Sequence, residues 1–142
     1  MWIMMNDAFV SIVKPAAALK KSGSTLCVRA RTRSDLEDFF EFLGEEIAIE
    51  YTPERDYAYR TFQSRYKVSK AIVERVHSLD YGNFKNSVED DDRHEAYEEV
   101  WMVMNQWGRR QRDDDDRTDY TTGIGRSRGR KFFDTAAFPR KL

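Results

Sequence analysis

Thr25–Gly44, TLCVRARTRSDLEDFFEFLG, reads as a strand that turns directly into a helix. In the strand, Leu26, Val28 and Ala30 alternate with Cys27, Arg29 and Arg31, which gives one apolar side and one basic side. Ser34 has the chemistry of an N-cap, and Glu37 three residues on completes a capping box. Leu36, Phe39, Phe40 and Leu43 then recur at i, i+3, i+4 and i+7, a single apolar stripe. Gly44 suits the left-handed residue that ends a helix.

Upstream, Phe9–Val13 is a strand, and the apolar patch Trp2–Met5 lies before the turn residues Asn6 and Asp7, so the two segments form a short hairpin or one bulged strand. Lys14–Ser24 is a linker containing Pro15 and Ser22-Gly23-Ser24. Downstream, Ile47, Ile49 and Tyr51 alternate with polar neighbours over Glu45–Thr52, a further strand. Tyr57–Val68 is the longest strand expected, with a bulge near Tyr59 and Arg60. Ser69 caps a helix bearing Ile72, Val76 and Leu79, which Asp80–Asn83 breaks. Phe84 and Val88 mark a short turn. A last helix, Arg93–Trp107, presents Tyr97, Val100, Trp101, Met104 and Trp107 on one face, and Gly108 is its natural stop.

This order predicts an α+β fold: an antiparallel sheet of about four strands with two to three helices on one side, ferredoxin-like or a related two-layer sandwich. A more open sheet with the helices clustered at one end is the alternative. Residues 1–107 form the body, and residues 108–142 a charged Arg/Gly/Asp-rich tail, disordered or ordered by a partner. The formal net charge of −1 hides an asymmetry between the two. The body has 14 Lys and Arg against 19 Asp and Glu, and the tail has 10 against 6. Such a division suggests different jobs for the two parts.

The body also resembles a set of small bacterial and phage proteins. The resemblance lies in FVSIV (Phe9–Val13), LCVRAR with DLE (Leu26–Glu37), DYAYR (Asp56–Arg60), DYGNFK (Asp80–Lys85) and AYEEVWMVM (Ala96–Met104). It implies an accessory protein of a phage or mobile element that binds host machinery, and it brings no catalytic residue with it.

The residues themselves assemble no reactive set. Cys27 is the only cysteine, which excludes an internal disulfide and a cysteine-based zinc site. His77 and His94 are the only histidines, and neither sits in a triad signature. Asp90, Asp91, Asp92, His94 and Glu95 offer ligand types for a cation, yet acidic clusters are ordinary at helix starts. GIGRSRG at 123–129 follows no strand and opens no periodic helix, so it is not a phosphate loop. The start of the chain lacks a signal-peptide pattern, and no run reaches the roughly 20 apolar residues of a membrane helix. The expectation is a cytoplasmic, non-enzymatic protein without cofactor or metal, whose partner is a host or phage protein. Its contacts are Arg29, Arg31, Tyr57, Tyr59 and Arg65 on the sheet, with Arg126, Arg128, Arg130, Phe132 and Phe133 in the tail. The alternative is nucleic-acid binding through the same basic and aromatic sheet face and the Arg/Gly-rich tail.

Overall fold

A computed structural model describes residues 1–16 and 23–121, with side chains through residue 112. The contact between Arg126, Arg128, Arg130, Phe132 or Phe133 and any partner therefore lies outside the described residues. The chain divides into two compact units, Met1–Glu98 and Glu99–Leu142.

The first unit is α+β. Strands β1 (Trp2–Met4), β2 (Phe9–Val13), β3 (Thr25–Ala30), β4 (Glu50–Tyr51) and β5 (Tyr59–Ser64) form one sheet of order β1-β2-β3-β5-β4. All of its pairings are antiparallel, and β5 lies between β3 and β4, the split arrangement of the expected ferredoxin-like or related two-layer sandwich. The amino-terminal segments are the hairpin form, closed across the Asn6-Asp7 turn by a Met5 N–H to Ala8 carbonyl bond of 2.8 Å.

Helix α1 (Arg33–Phe40) is capped two residues earlier than expected. Thr32 is the N-cap, and its hydroxyl accepts from the Asp35 N–H at 3.2 Å in place of the Ser34 and Glu37 box. A 3-10 turn at Glu41–Leu43 follows, and Gly44 ends it at φ 63° as expected. Helix α2 (Arg65–His77) differs most from the sequence reading. Tyr66, Lys67 and Val68 belong to it rather than to a long strand, and Ser64 rather than Ser69 caps it by accepting from the Lys67 N–H at 3.2 Å. The segment alternates well enough to pass for a strand. Tertiary bonding decides against that: the Arg65 N–H turns to the Ser24 carbonyl at 2.7 Å, and Val68 and Ala71 enter the core at helical spacing. Ile47 and Ile49 also pack on the core, although only Glu50–Tyr51 pairs as a strand there.

The core lies between α1, α2 and one sheet face. Val10, Ile12, Val28 and Ala30 from the sheet meet Leu36, Phe39, Phe40, Val68 and Ala71. Leu36 and Phe39 are fully buried and Phe40 nearly so, each contributing about 2 kcal/mol through apolar burial. Phe39 and Phe40 meet edge to face with centroids 4.7 Å apart.

Helix α3 spans Asp91–Thr121, straight through Gly108, which does not stop it. An interior glycine costs a helix only about 1 kcal/mol, and the Arg and Gln residues that follow are good helix formers. Residues 108–121 of the expected tail are thus helical. The Asp90 carboxylate caps the helix, accepting from the Arg93 N–H at 2.7 Å.

The first turns of α3 are tied to the body by a buried charge. Asp35 is 4% exposed, and its carboxylate accepts from the Phe9 N–H at 3.0 Å and from Arg93 Nη1 at 2.8 Å. Tyr97 continues the chain by donating to the Ala8 carbonyl at 3.2 Å, and its ring stacks on Phe84. Burial alone would lower the Arg93 pKa, but bonds to Tyr97 and Asp35 hold it above its ordinary value. Removing one member leaves a buried charge without its partner. Arg93→Ala is therefore expected to lower the unfolding free energy by about 3 kcal/mol, measured by urea denaturation. The loss for Asp35→Ala combined with Arg93→Ala should be smaller than the sum of the two single losses.

Candidate functional site

The sheet face opposite α1 and α2 carries a row of aligned residues, one from each strand: Trp2, Ser11, Arg29, Arg60 and Glu50. Alternation along β3 sends Val28 and Ala30 to the core and Arg29 to this side. Arg29 donates through Nε to the Ser11 hydroxyl at 3.2 Å, and its guanidinium lies 4.6 Å from the Tyr57 ring centroid. Arg31 stands over the same ring, also at 4.6 Å, and donates Nε and Nη2 to the Asp56 carboxylate, each at 3.2 Å. Arg60 Nη2 donates to the Tyr57 carbonyl at 3.0 Å.

Arg29, Arg31 and Tyr57 are therefore brought together, but Tyr57 is buried between two guanidinium groups rather than displayed. Tyr59 is not on this face. It pairs with Ala30 on the core side, and its ring lies 4.8 Å from that of Tyr51. Arg65 is not on the sheet at all; it opens α2 and donates through Nε to the Gly23 carbonyl at 3.4 Å. Cys27 faces the arginine side, buried, and desolvation pushes its pKa up, so the unreactive thiol dominates at neutral pH.

A second feature was not singled out by sequence. An apolar groove of about 360 Å³ runs between the β1 edge and the end of α2. Ile3, Met4 and Met5 line its sheet side, Phe39 and Phe42 come from α1 and the turn after it, and Ile72, Val76 and Leu79 complete it. Val76 and Leu79 share the expected helical stripe with Ile72, yet they are 60% and 55% exposed. The cause is geometric: β1 is an edge strand of three residues, and the two-helix layer does not cover it fully. The Met1 and Met5 backbones bond inward to β2, which leaves the intervening Trp2 and Met4 peptide groups aimed at the outer edge.

Arg75 organises this groove from α2. It pairs with the Asp7 carboxylate, donates to the Asp38 carbonyl, and lies 5.1 Å from the Phe42 ring centroid. Three segments distant in sequence are held by one guanidinium that is 11% exposed. Adjoining the groove through Asn6 and Asp7 is a polar recess of about 410 Å³, lined by Asp7, Asp38, Glu89, Asp90 and Arg93 among others. Burial, then the neighbouring Asp7 charge, pushes the Asp38 pKa up against the opposing pull of Arg75. The recess gathers four carboxylates, Asp7, Asp38, Glu89 and Asp90, around the single Arg93 guanidinium.

His77 closes α2 and His94 lies in the first turn of α3. Among the described residues, no three His, Cys, Asp or Glu side chains converge to hold a metal ion. Nor is any helix among them long and apolar enough to cross a membrane. No family model, curated protein or solved structure matches the chain.

The Asp38 shift has a consequence for stability. A carboxyl whose pKa is raised on folding stabilises the fold while protonated, and that contribution is lost as pH rises through its folded titration. Asp38→Asn should therefore be more stable than the wild type at pH 7. The difference should vanish as pH falls below the carboxylate range, in thermal melts collected across that interval.

Proposed function

We propose that this protein is a non-enzymatic accessory protein that works by protein–protein contact. Its groove takes a short apolar segment whose neighbouring basic side chain reaches the acidic recess. The observation that carries this reading is the groove itself: apolar side chains from β1, the turn after α1, and α2 with its end left part-exposed together beside an acidic surface. Met4 and Met5 suit such a role because unbranched thioether chains adapt to a partner's shape. The outward peptide groups of Trp2 and Met4 offer a short edge on which an extended segment can pair. The resemblance to small bacterial and phage proteins supports host machinery as the partner, with the cytoplasm as the setting.

Nucleic-acid binding is the second reading, and the cluster of Arg29, Arg31 and Arg60 around Tyr57 favours it. Against it, these guanidinium groups already donate to Ser11, Asp56 and the Tyr57 carbonyl. The ring that would stack on a base is buried. The body's balance of 14 basic to 19 acidic residues also repels a phosphate backbone.

Affinity capture with the full chain separates the two. Val76→Glu with Leu79→Glu changes exposed positions, so the fold should hold while capture of a defined protein falls about tenfold, as expected for loss of a central apolar contact. Arg29→Ala should leave that capture unchanged. Binding that disappears on nuclease treatment, and that Arg29→Ala rather than the groove variant abolishes, would replace the first reading with the second.

A further inference from the structure

The two outer strands of the sheet meet solvent differently. Strand β4 is two residues long, carries Glu50 and has Pro53 two residues on, features that deter pairing by a further strand. Strand β1 has no such guard: Met1–Met5 are all apolar, without charge or proline. Its hydrogen-bonding phase is fixed. Met1 exchanges both backbone bonds with Ile12, Ile3 pairs with Val10, and Met5 donates to Ala8. The N–H and C=O groups of Trp2 and Met4 therefore point outward, along the rim of the groove.

We propose that β1 is extended by an antiparallel strand of a partner protein, in which a basic residue stands two positions before an apolar one, as in Lys-x-Leu. This rests on the groove as the protein-contact site and adds a backbone register to it.

The register decides the spacing. In an antiparallel addition, the incoming residues opposite Met4 and Trp2 exchange backbone bonds, and the residue between them lies opposite Ile3. Ile3 and Met5 face the helix layer, where they pack on the core and line the groove. The side chain opposite Ile3 thus enters the groove, and the one two residues earlier, opposite Met5, lies on the same side. That earlier side chain starts beside Asn6 and Asp7, which the groove shares with the acidic recess. Of the recess carboxylates, Asp7 is held by Arg75 and Asp90 caps α3. Asp38 and Glu89 take part in no ion pair among the described residues. A lysine at this position lays its stem along Met5 and carries its ammonium into the recess. Alternate residues of the same strand face the other way, where Trp2, 68% exposed, offers an aromatic surface.

Antiparallel pairing is the more stable form per residue, and every existing pair in the sheet has it. A second copy of β1 would supply the backbone groups but no cation, since Met1–Met5 hold none, and would leave the recess unmatched.

The probe is a fluorescein-labelled peptide, Thr-Thr-Lys-Thr-Leu-Thr-Thr with blocked ends, titrated against the full chain by fluorescence polarisation. N-methylation of the two threonines that flank leucine should weaken binding about tenfold, as should the spacing Lys-x-x-Leu or the reversed order Leu-x-Lys. Met4→Pro removes one outward N–H and none of the inward bonds to β2, so it should abolish peptide binding with the circular dichroism spectrum unchanged. Glu89→Lys, an exposed change, should weaken the lysine peptide about tenfold and leave a peptide with threonine in its place unaffected. A peptide that fails to bind at about 1 mM overturns the proposal, as does binding indifferent to N-methylation, spacing or order. A wild-type dimer that Met4→Pro dissociates also overturns it, because a second copy then holds the edge. Protein capture that Val76→Glu with Leu79→Glu lowers and Met4→Pro does not rejects the strand pairing alone, whereas capture indifferent to the groove variant rejects the contact site itself.

Discussion

One buried carboxylate carries much of the organisation of the first unit. Asp35 receives the Phe9 N–H and the Arg93 guanidinium while its own N–H is capped by Thr32. It thereby joins the start of β2, the first turn of α1 and the first turn of α3. A charge at 4% exposure is tolerable only if it is paired and hydrogen-bonded, and Oδ1 accepts both the backbone and the guanidinium donor. Phe9, Tyr97 and Phe84 then line up as ring contacts beside the bond that Tyr97 donates to Ala8.

The candidate groove follows from what the two-helix layer leaves uncovered. Helices α1 and α2 bury Val10, Ile12, Val28 and Ala30 completely or nearly so, but the sheet extends one short strand further. Ile3, Met4 and Met5 on that edge, with Phe42, Val76 and Leu79 from the helix side, remain as an open apolar channel. Arg75 keeps it shaped by gripping the β1–β2 turn and the end of α1 together. The arginine face across the sheet is different in kind. Its guanidinium groups are engaged with Ser11, Asp56 and Tyr57, so it behaves as a bonded surface rather than a free cationic platform.

Much of the sheet was legible because its signals are local. The alternation in Leu26–Ala30 and Phe9–Val13, the turn at Asn6-Asp7 and the Gly44 stop all act over a few residues, and each appears where the chain chemistry places it. The start of α2 was not legible, since Tyr57–Val68 alternates and also carries a helical stripe from Val68 onward. The Gly108 stop misled for a related reason: propensity at one residue is smaller than the combined preference of a 31-residue helix. Of the site residues, Arg29 and Arg31 could be placed on one face by parity, whereas burial of Tyr57 between them could not.

Periodicity, capping chemistry and charge distribution by themselves determined the α+β class, the apolar side of β3, the stripe of α1 and the acidic character of the body, because each depends only on near neighbours in the chain. Tertiary structure alone decided that Asp35 pairs with Arg93, that Arg75 bridges Asp7 and Asp38, and that Val76 and Leu79 stay in solvent. Those outcomes turn on contacts between segments tens of residues apart and on where a two-helix layer ends above a five-strand sheet. No local pattern encodes that edge.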